Sequence, residues 1–423
     1  MNIIQLENLL FHRQENNQFK PRQYGPDEIV INWNDPQTVF QAFESDYFDI
    51  ILQGLFDFSN DINNLDVFIN YIPQLIDYLL IFSENQQHYV QDYAKHILVK
   101  LFYAHDDSDM TDFRKAAYDY LFSLSQNLNT DIKFYMLLSK LFEQSLAIKQ
   151  YISLNPLLET IIDTNPQILS LENLKYYAST LKYLLSDSQV MPGDKLSRIV
   201  KKIFEILDFC SDENVQNDCT QSLNYFTSDV NRTSSFITSK YVQKLLNLFP
   251  NTNPISKGHI LVIFSNCYGC PISSLQHSIK ELIPLSSFSS FLEDESDIVR
   301  LNTIIALFNC FQNDEMTISE AYESGILEKL FSLIQIENFS TTKQIVRCLL
   351  IAAQSATSEI FKMFENQNFI EYLGELLTNG DDYLVDIVKS FAILYKERKE
   401  SGYQFDENLI DYLELFIDSC DLE

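Results

Sequence analysis

From about Pro36 onward, apolar residues recur three and four positions apart, in stretches of ten to sixteen residues broken by Asn, Asp, Ser or Pro. That spacing stacks them on one face of an α-helix, so the chain is expected to be helical almost throughout. The alternation that a strand needs is scarce; Glu28–Trp33 is the best stretch, and it is short. Residues 1–35 read differently, with Pro21, Gly25, Pro26, the only tryptophan (Trp33) and a polar run from Arg13 to Arg22. They are expected to form a partly mobile lead-in with a short helix over Ile3–His12.

The helices repeat. One unit runs Tyr71-Ile72-Pro73-Gln74-Leu75-Ile76-Asp77-Tyr78-Leu79-Leu80, then a polar break, then Val90 to Leu101. Another runs from Gly325 to Ile334, then a break, then a helix from Thr342 through Ala353. Aligning the second helix of every such unit puts one marker position at Lys100, Lys140, Tyr183, Asn224, Asn266, Asn309, Ile351 and Ile393. Successive markers lie 40, 43, 41, 42, 43, 42 and 42 residues apart. A period held this closely is the signature of stacked two- or three-helix repeats of about 40–47 residues. Each unit alone exposes an apolar face, and stacking buries it in one continuous core. A partial unit is expected ahead of the array over Thr38–Phe58, and a capping helix after it over Glu407–Cys420.

Composition narrows the alternatives. At 46% apolar and 21% charged, the 423 residues are not a disordered chain. Only 9 glycines and 11 prolines argue against turn-rich sandwiches, Gly-rich nucleotide folds and collagen-like chains. The 59 acidic residues against 30 basic give a net charge of −29, which opposes nucleic-acid backbones and anionic membranes. Basic protein segments are the partner class that such a field favours. Seven cysteines without dense spacing suit reduced thiols in a cytoplasmic or nuclear protein. Glu7 interrupts the N-terminal apolar stretch, so no signal peptide is read. Runs such as Leu79-Leu80-Ile81-Phe82 fall far short of the roughly 18 residues that span a bilayer. A soluble, intracellular protein is expected.

The unit Ile72-Pro73, Leu75-Ile76, Leu79-Leu80, Val90-Gln91, Ala94, Leu98, Leu101 resembles the armadillo repeat family. Gly325-Ile326, Leu330 and Leu333 keep part of the same pattern. Leu223-Asn224, Ser265-Asn266 and Phe308-Asn309 look like the family's third-helix asparagine. The resemblance covers residues 38–420 and implies an all-α fold, a right-handed α-solenoid of about eight to nine armadillo-like repeats. Residues 36–423 then form one repeat domain. It also implies that third helices line a concave groove, where asparagines pair with the backbone of an extended peptide. Importin-alpha adaptors carry a tryptophan four residues before each such asparagine. Those positions hold His96, Met136, Ser179, Thr220, Val262, Ile305 and Arg347, and the basic N-terminal segment of those adaptors is also missing.

Asn224, Asn266 and Asn309 are therefore the candidate peptide-binding residues, with Lys100, Lys140, Tyr183, His96 and Arg347 on the same face. The competing reading is that the amides bond a neighbouring helix. Phe264, Phe308 and Phe331 read as core; Tyr135, Tyr176 and Tyr183 read as core or as half-buried groove residues. Cys267-Tyr268-Gly269-Cys270 lacks the second pair that a zinc site needs and reads as packed thiols. His105-Asp106-Asp107 with Asp109 lacks EF-hand spacing and reads as a solvated turn. The run from Glu293 to Asp297 places negative charge at the start of a helix over Ile298–Asn309, where the macrodipole favours it. No phosphate loop, zinc-protease motif or nucleophile elbow occurs. The expectation is a non-enzymatic scaffold or adaptor without metal or cofactor, binding a protein or peptide with a basic segment. Two alternatives are a divergent importin-alpha-like nuclear import adaptor and a regulatory subunit of a multi-protein complex.

Overall fold

In the computed structural model the described residues are 32, 35–44, 48–61, 65–103, 111–127, 132–186, 191–238, 240–270, 272–313, 315–334, 336–379 and 383–400. The helix expected over Ile3–His12, the stretch Glu28–Trp33 apart from Asn32, the metal-like turn at His105–Asp109 and the cap over Glu407–Cys420 lie outside them. Among the described residues every regular element is helical. Two compact units, residues 1–222 and 223–423, divide the chain. The fold class is all-α, an α-solenoid of stacked helical repeats.

Eight helices carry the marker register and are numbered here. They are α1 (His88–Phe102), α2 (Lys133–Gln144), α3 (Leu171–Ser186), α4 (Glu213–Thr227), α5 (Pro254–Tyr268), α6 (Asp297–Asn313), α7 (Phe339–Gln354) and α8 (Leu384–Glu400). Side-chain caps at the polar breaks set the beginnings of α3, α4, α5 and α7, whereas α1 and α2 start without one. Asn253 accepts from the N–H groups of Ile255 and Ser256, with Pro254 at the first helical position. Asn338 accepts from Thr341 N–H and starts α7 at Phe339, three residues before the expected Thr342. The expected partial unit is a helix pair, Pro36–Phe43 and Phe48–Asp61.

In the C-terminal unit each repeat has three helices. Glu315–Glu323, Ile326–Ile334 and α7 form one; Ser358–Asn366, Phe369–Asn379 and α8 form the next. The turn between the first two helices needs a left-handed residue, supplied by Gly325 (φ 73°) and, 43 residues on, by Asn368 (φ 54°). Helices α5, α6, α7 and α8 pack in sequence, each against the next, and the shorter helices back them. In the N-terminal unit α1, α2 and α3 pack in the same order. Leu146–Ser153, Leu157–Asp163 and α3 keep three helices, whereas Ile72–Ser83 with α1 has two.

The core runs between these layers. Helix α5 buries Ile260, Leu261, Ile263, Phe264 and Cys267 completely. The stretch Leu65–Ser83 is as long and apolar as a membrane span, but it buries Phe68, Ile72, Leu75, Ile76 and Leu79 within this core. Cys210, Cys219, Cys267, Cys270, Cys310 and Cys348 are buried thiols, and burial pushes the thiols of Cys219, Cys267, Cys310 and Cys348 upward, away from the reactive thiolate.

Polar links join neighbouring repeats at a fixed spacing. Lys175–Asp212 (3.2 Å), Lys257–Asp294 (2.8 Å) and Arg300–Glu337 each connect the start of one register helix to the loop before the next, 37 residues on. Helix α6 packs closely on α5 at Gly258, where a Cβ would lie 3.0 Å from Ile298 Cγ2 and 3.1 Å from Asn302 Nδ2. Replacing Gly258 with valine is expected to destabilise the C-terminal unit by about 1–3 kcal/mol through overpacking. Limited proteolysis of the full chain checks this: cleavage should accelerate within residues 254–313 and stay unchanged in the N-terminal unit.

Candidate functional site

Once both flanks of a register helix are buried against its neighbours, one strip of side chains is left between core and solvent. In α5 that strip is Ile255, His259, Val262 and Asn266; in α6 it is Ile298, Asn302, Ile305 and Asn309. The spacing of four, three and four residues keeps each set on one helical face. All eight markers, Lys100, Lys140, Tyr183, Asn224, Asn266, Asn309, Ile351 and Ile393, are half-buried. Four residues earlier, His96, Met136, Ser179, Val262, Ile305 and Arg347 are half-buried too, and Thr220 is buried.

The asparagines reach back to the preceding register helix. Asn266 Nδ2 donates to Asn224 Oδ1 (3.4 Å) and Thr227 Oγ1 (3.2 Å), and Asn309 Nδ2 donates to Ser265 Oγ (2.6 Å). These bonds are the neighbour-pairing that the sequence left open. An amide has two N–H donors and a carbonyl, so one such bond does not exhaust it. The lysines act similarly. Lys100 Nζ donates to the Ser59 carbonyl at 2.7 Å, and Lys140 forms an ion pair with Glu84.

Aromatic rings support the charges on the strip. The Arg347 guanidinium lies between the rings of Phe308 (4.6 Å) and Tyr383 (4.8 Å), while Nη1 donates to Gln344 Oε1 at 3.2 Å. The sequence offered Phe308 as core; it is instead half-buried beneath this guanidinium. Lys182 Nζ sits 4.7 Å from the Tyr183 ring centre and pairs with Asp218 at 2.6 Å. Tyr176 is half-buried, and burial followed by the nearby Glu84 charge pushes its hydroxyl up to about 12. Tyr135 does not reach the strip. It is fully buried with its hydroxyl 2.5 Å from Thr164 Oγ1, because its place in α2 faces Tyr177 and the core.

Comparison with known proteins gives the fold and little else. No family model matches the chain, and no curated protein matches it. An engineered protein solved by the Northeast Structural Genomics Consortium is similar over 92% of this chain and 95% of its own, at 17% identity and a TM-score of 0.59. That likeness is one of fold. A designed armadillo repeat protein is similar over 60% of this chain and 98% of its own, at 15% identity and a TM-score of 0.39. Another, solved in complex with the peptide (KR)4, has 16% identity and a TM-score of 0.40 over 60% of this chain and 98% of its own.

His96 is the strip residue with the most displaced proton affinity. Burial, then the neighbouring Lys100 charge, lowers it from 6.5 to about 4. The unfolded chain therefore takes up a proton here before the folded one does, and stability falls as pH drops from 6.5 towards 4. Between pH 7 and pH 5 this one group is expected to cost the folded state about 2 kcal/mol. Thermal melts of the wild type and of His96→Gln check it: acidification should lower the wild-type midpoint more than that of the variant.

Proposed function

We propose that this protein is a non-enzymatic scaffold or adaptor that holds a segment of another protein along the half-buried strip of its register helices. The observation that carries this reading is the shared register of eight marker positions, all kept at the same intermediate burial. A side chain in that position is fixed by the core on one side and open to a ligand on the other. Rigid amides, supported cations and aromatic edges so arranged suit an extended or partly helical polypeptide better than a small molecule. A net charge of −29 draws basic segments in and makes their capture salt-sensitive.

The test is site-specific cross-linking in the full chain. A photoreactive residue at Ile305 or Ile351 reports on the strip; one at Gln243 or Lys362, both exposed on the backing helices, reports on the other face. Adducts to a partner polypeptide from positions 305 and 351, weakening as salt rises and missing from 243 and 362, are expected. Adducts confined to 243 and 362 would replace this reading with that of a subunit that docks through its outer helices.

A further inference from the structure

The first turns of the register helices in the C-terminal unit carry a second pattern. Ile255, Ile298 and Phe339 each lie in the first turn of their register helix, Phe339 one position earlier than the other two, and are 47%, 46% and 85% exposed. Ile336, just before α7, is 75% exposed. Single exposed apolar side chains are ordinary on any protein surface. A row of them, one per repeat, beside a recess is not scatter.

The recess lies between the loop that precedes α6 and the loop that precedes α7. It is an open cleft of about 490 Å³. Ile336 supplies its exposed apolar surface, with Leu292 and Leu333 buried beneath. Its charged walls are the carboxylates Glu293, Asp294, Glu295 and Glu337 against the cations Arg300 and Lys329. The acidic run singled out in the sequence thus forms one wall. Part of it serves the fold. Asp294 accepts from Ser296 N–H and pairs with Lys257; Asp297 and Glu337 pair with Arg300. Glu293 pairs with Lys329 but keeps an exposed side chain. The Glu295 carboxylate is exposed and has no ion pair among the described residues. The turn at Ser296 and these ion pairs account for Asp294 and Asp297, and leave Glu295 and the exposed Ile336 without a role.

We propose that this cleft is a second docking site, taking a basic amphipathic segment of a partner protein in which Lys or Arg alternates with large apolar side chains. The apolar side chains of such a segment cover Ile336 and extend onto Ile298 and Phe339. Its cations meet Glu295 and Glu293. An acidic segment of the same apolar content would set carboxylate against carboxylate. The site is on the edge formed by the helix starts, meets the strip proposed to hold peptide only at Ile298, and does not depend on that reading.

Fluorescence anisotropy of short labelled peptides titrated with the full chain tests it. The probes alternate lysine with leucine, lysine with serine, or glutamate with leucine. Lysine–leucine is expected to bind about tenfold or more tightly than either control, because the site needs both charge and apolar area. The double change Ile336→Ser and Phe339→Ser should weaken it about tenfold, and Glu295→Lys should weaken it and flatten its salt dependence. All three side chains are exposed, so the melting temperature should not move. Equal binding by the Ile336/Phe339 variant, or equal binding of lysine–serine and lysine–leucine, overturns the proposal. Asn309→Ala separates the two surfaces: unchanged affinity keeps the peptide in the cleft, and a loss matching that of the cleft variant puts it on the strip and overturns the assignment.

Discussion

A register helix of this protein cannot bury its apolar surface alone, and the rest of the structure follows from that. In α5 the buried residues Ser256, Gly258, Ile260, Leu261, Ile263, Phe264, Ser265, Cys267 and Tyr268 occupy more than half of the circumference, so contact with one neighbour leaves part of them in water. Packing against α6 would not suffice either without the short helices behind. Flanks and back are used up, and what remains in α5 is a narrow strip that holds Ile255, His259, Val262 and Asn266. The candidate binding surface is therefore a remainder of the packing rather than a feature added to it.

Hydrophobic burial fixes that helices stack; it does not fix at what height. The polar links do that. Arg300 meets Glu337 and Lys257 meets Asp294 only when consecutive repeats are offset by one definite amount, and the amides of Asn266 and Asn309 set the offset again at the opposite end of the helices. Ion pairs as exposed as Lys329–Glu293 contribute little net stability. Breaking the more buried Arg300–Glu337 pair would strand a carboxylate that is 3% exposed, so its role is to penalise a slipped stack.

The helical period and the register were readable from residue types, because apolar spacing is a property of one helix and the period is a property of the chain. Lys100 and Ile393, far apart in sequence and unlike in chemistry, end in the same half-buried class. The division of the C-terminal repeats into three helices was only half visible. Gly325 announces its turn, but Asn368 does the same work with a side chain that is common throughout this sequence. Side-chain destinations were the least legible. Tyr135 and Tyr176 both lie on register helices, yet one is core and the other half-buried, since the difference depends on which neighbours, Tyr177 and Thr164 for one and Lys140 and Glu84 for the other, stand opposite. The partners of Asn266 and Arg347 come from other repeats, and no local pattern announces them.

The central claim is that the chain is built from interchangeable repeats of about 42 residues. Excising residues 272–313, which end with α6, and measuring helicity per residue and melting by circular dichroism tests it most directly. The repeat account predicts a shortened protein with unchanged helicity per residue and a cooperative melt, while excision of only residues 292–313 abolishes both. Comparable damage from the two deletions would contradict it.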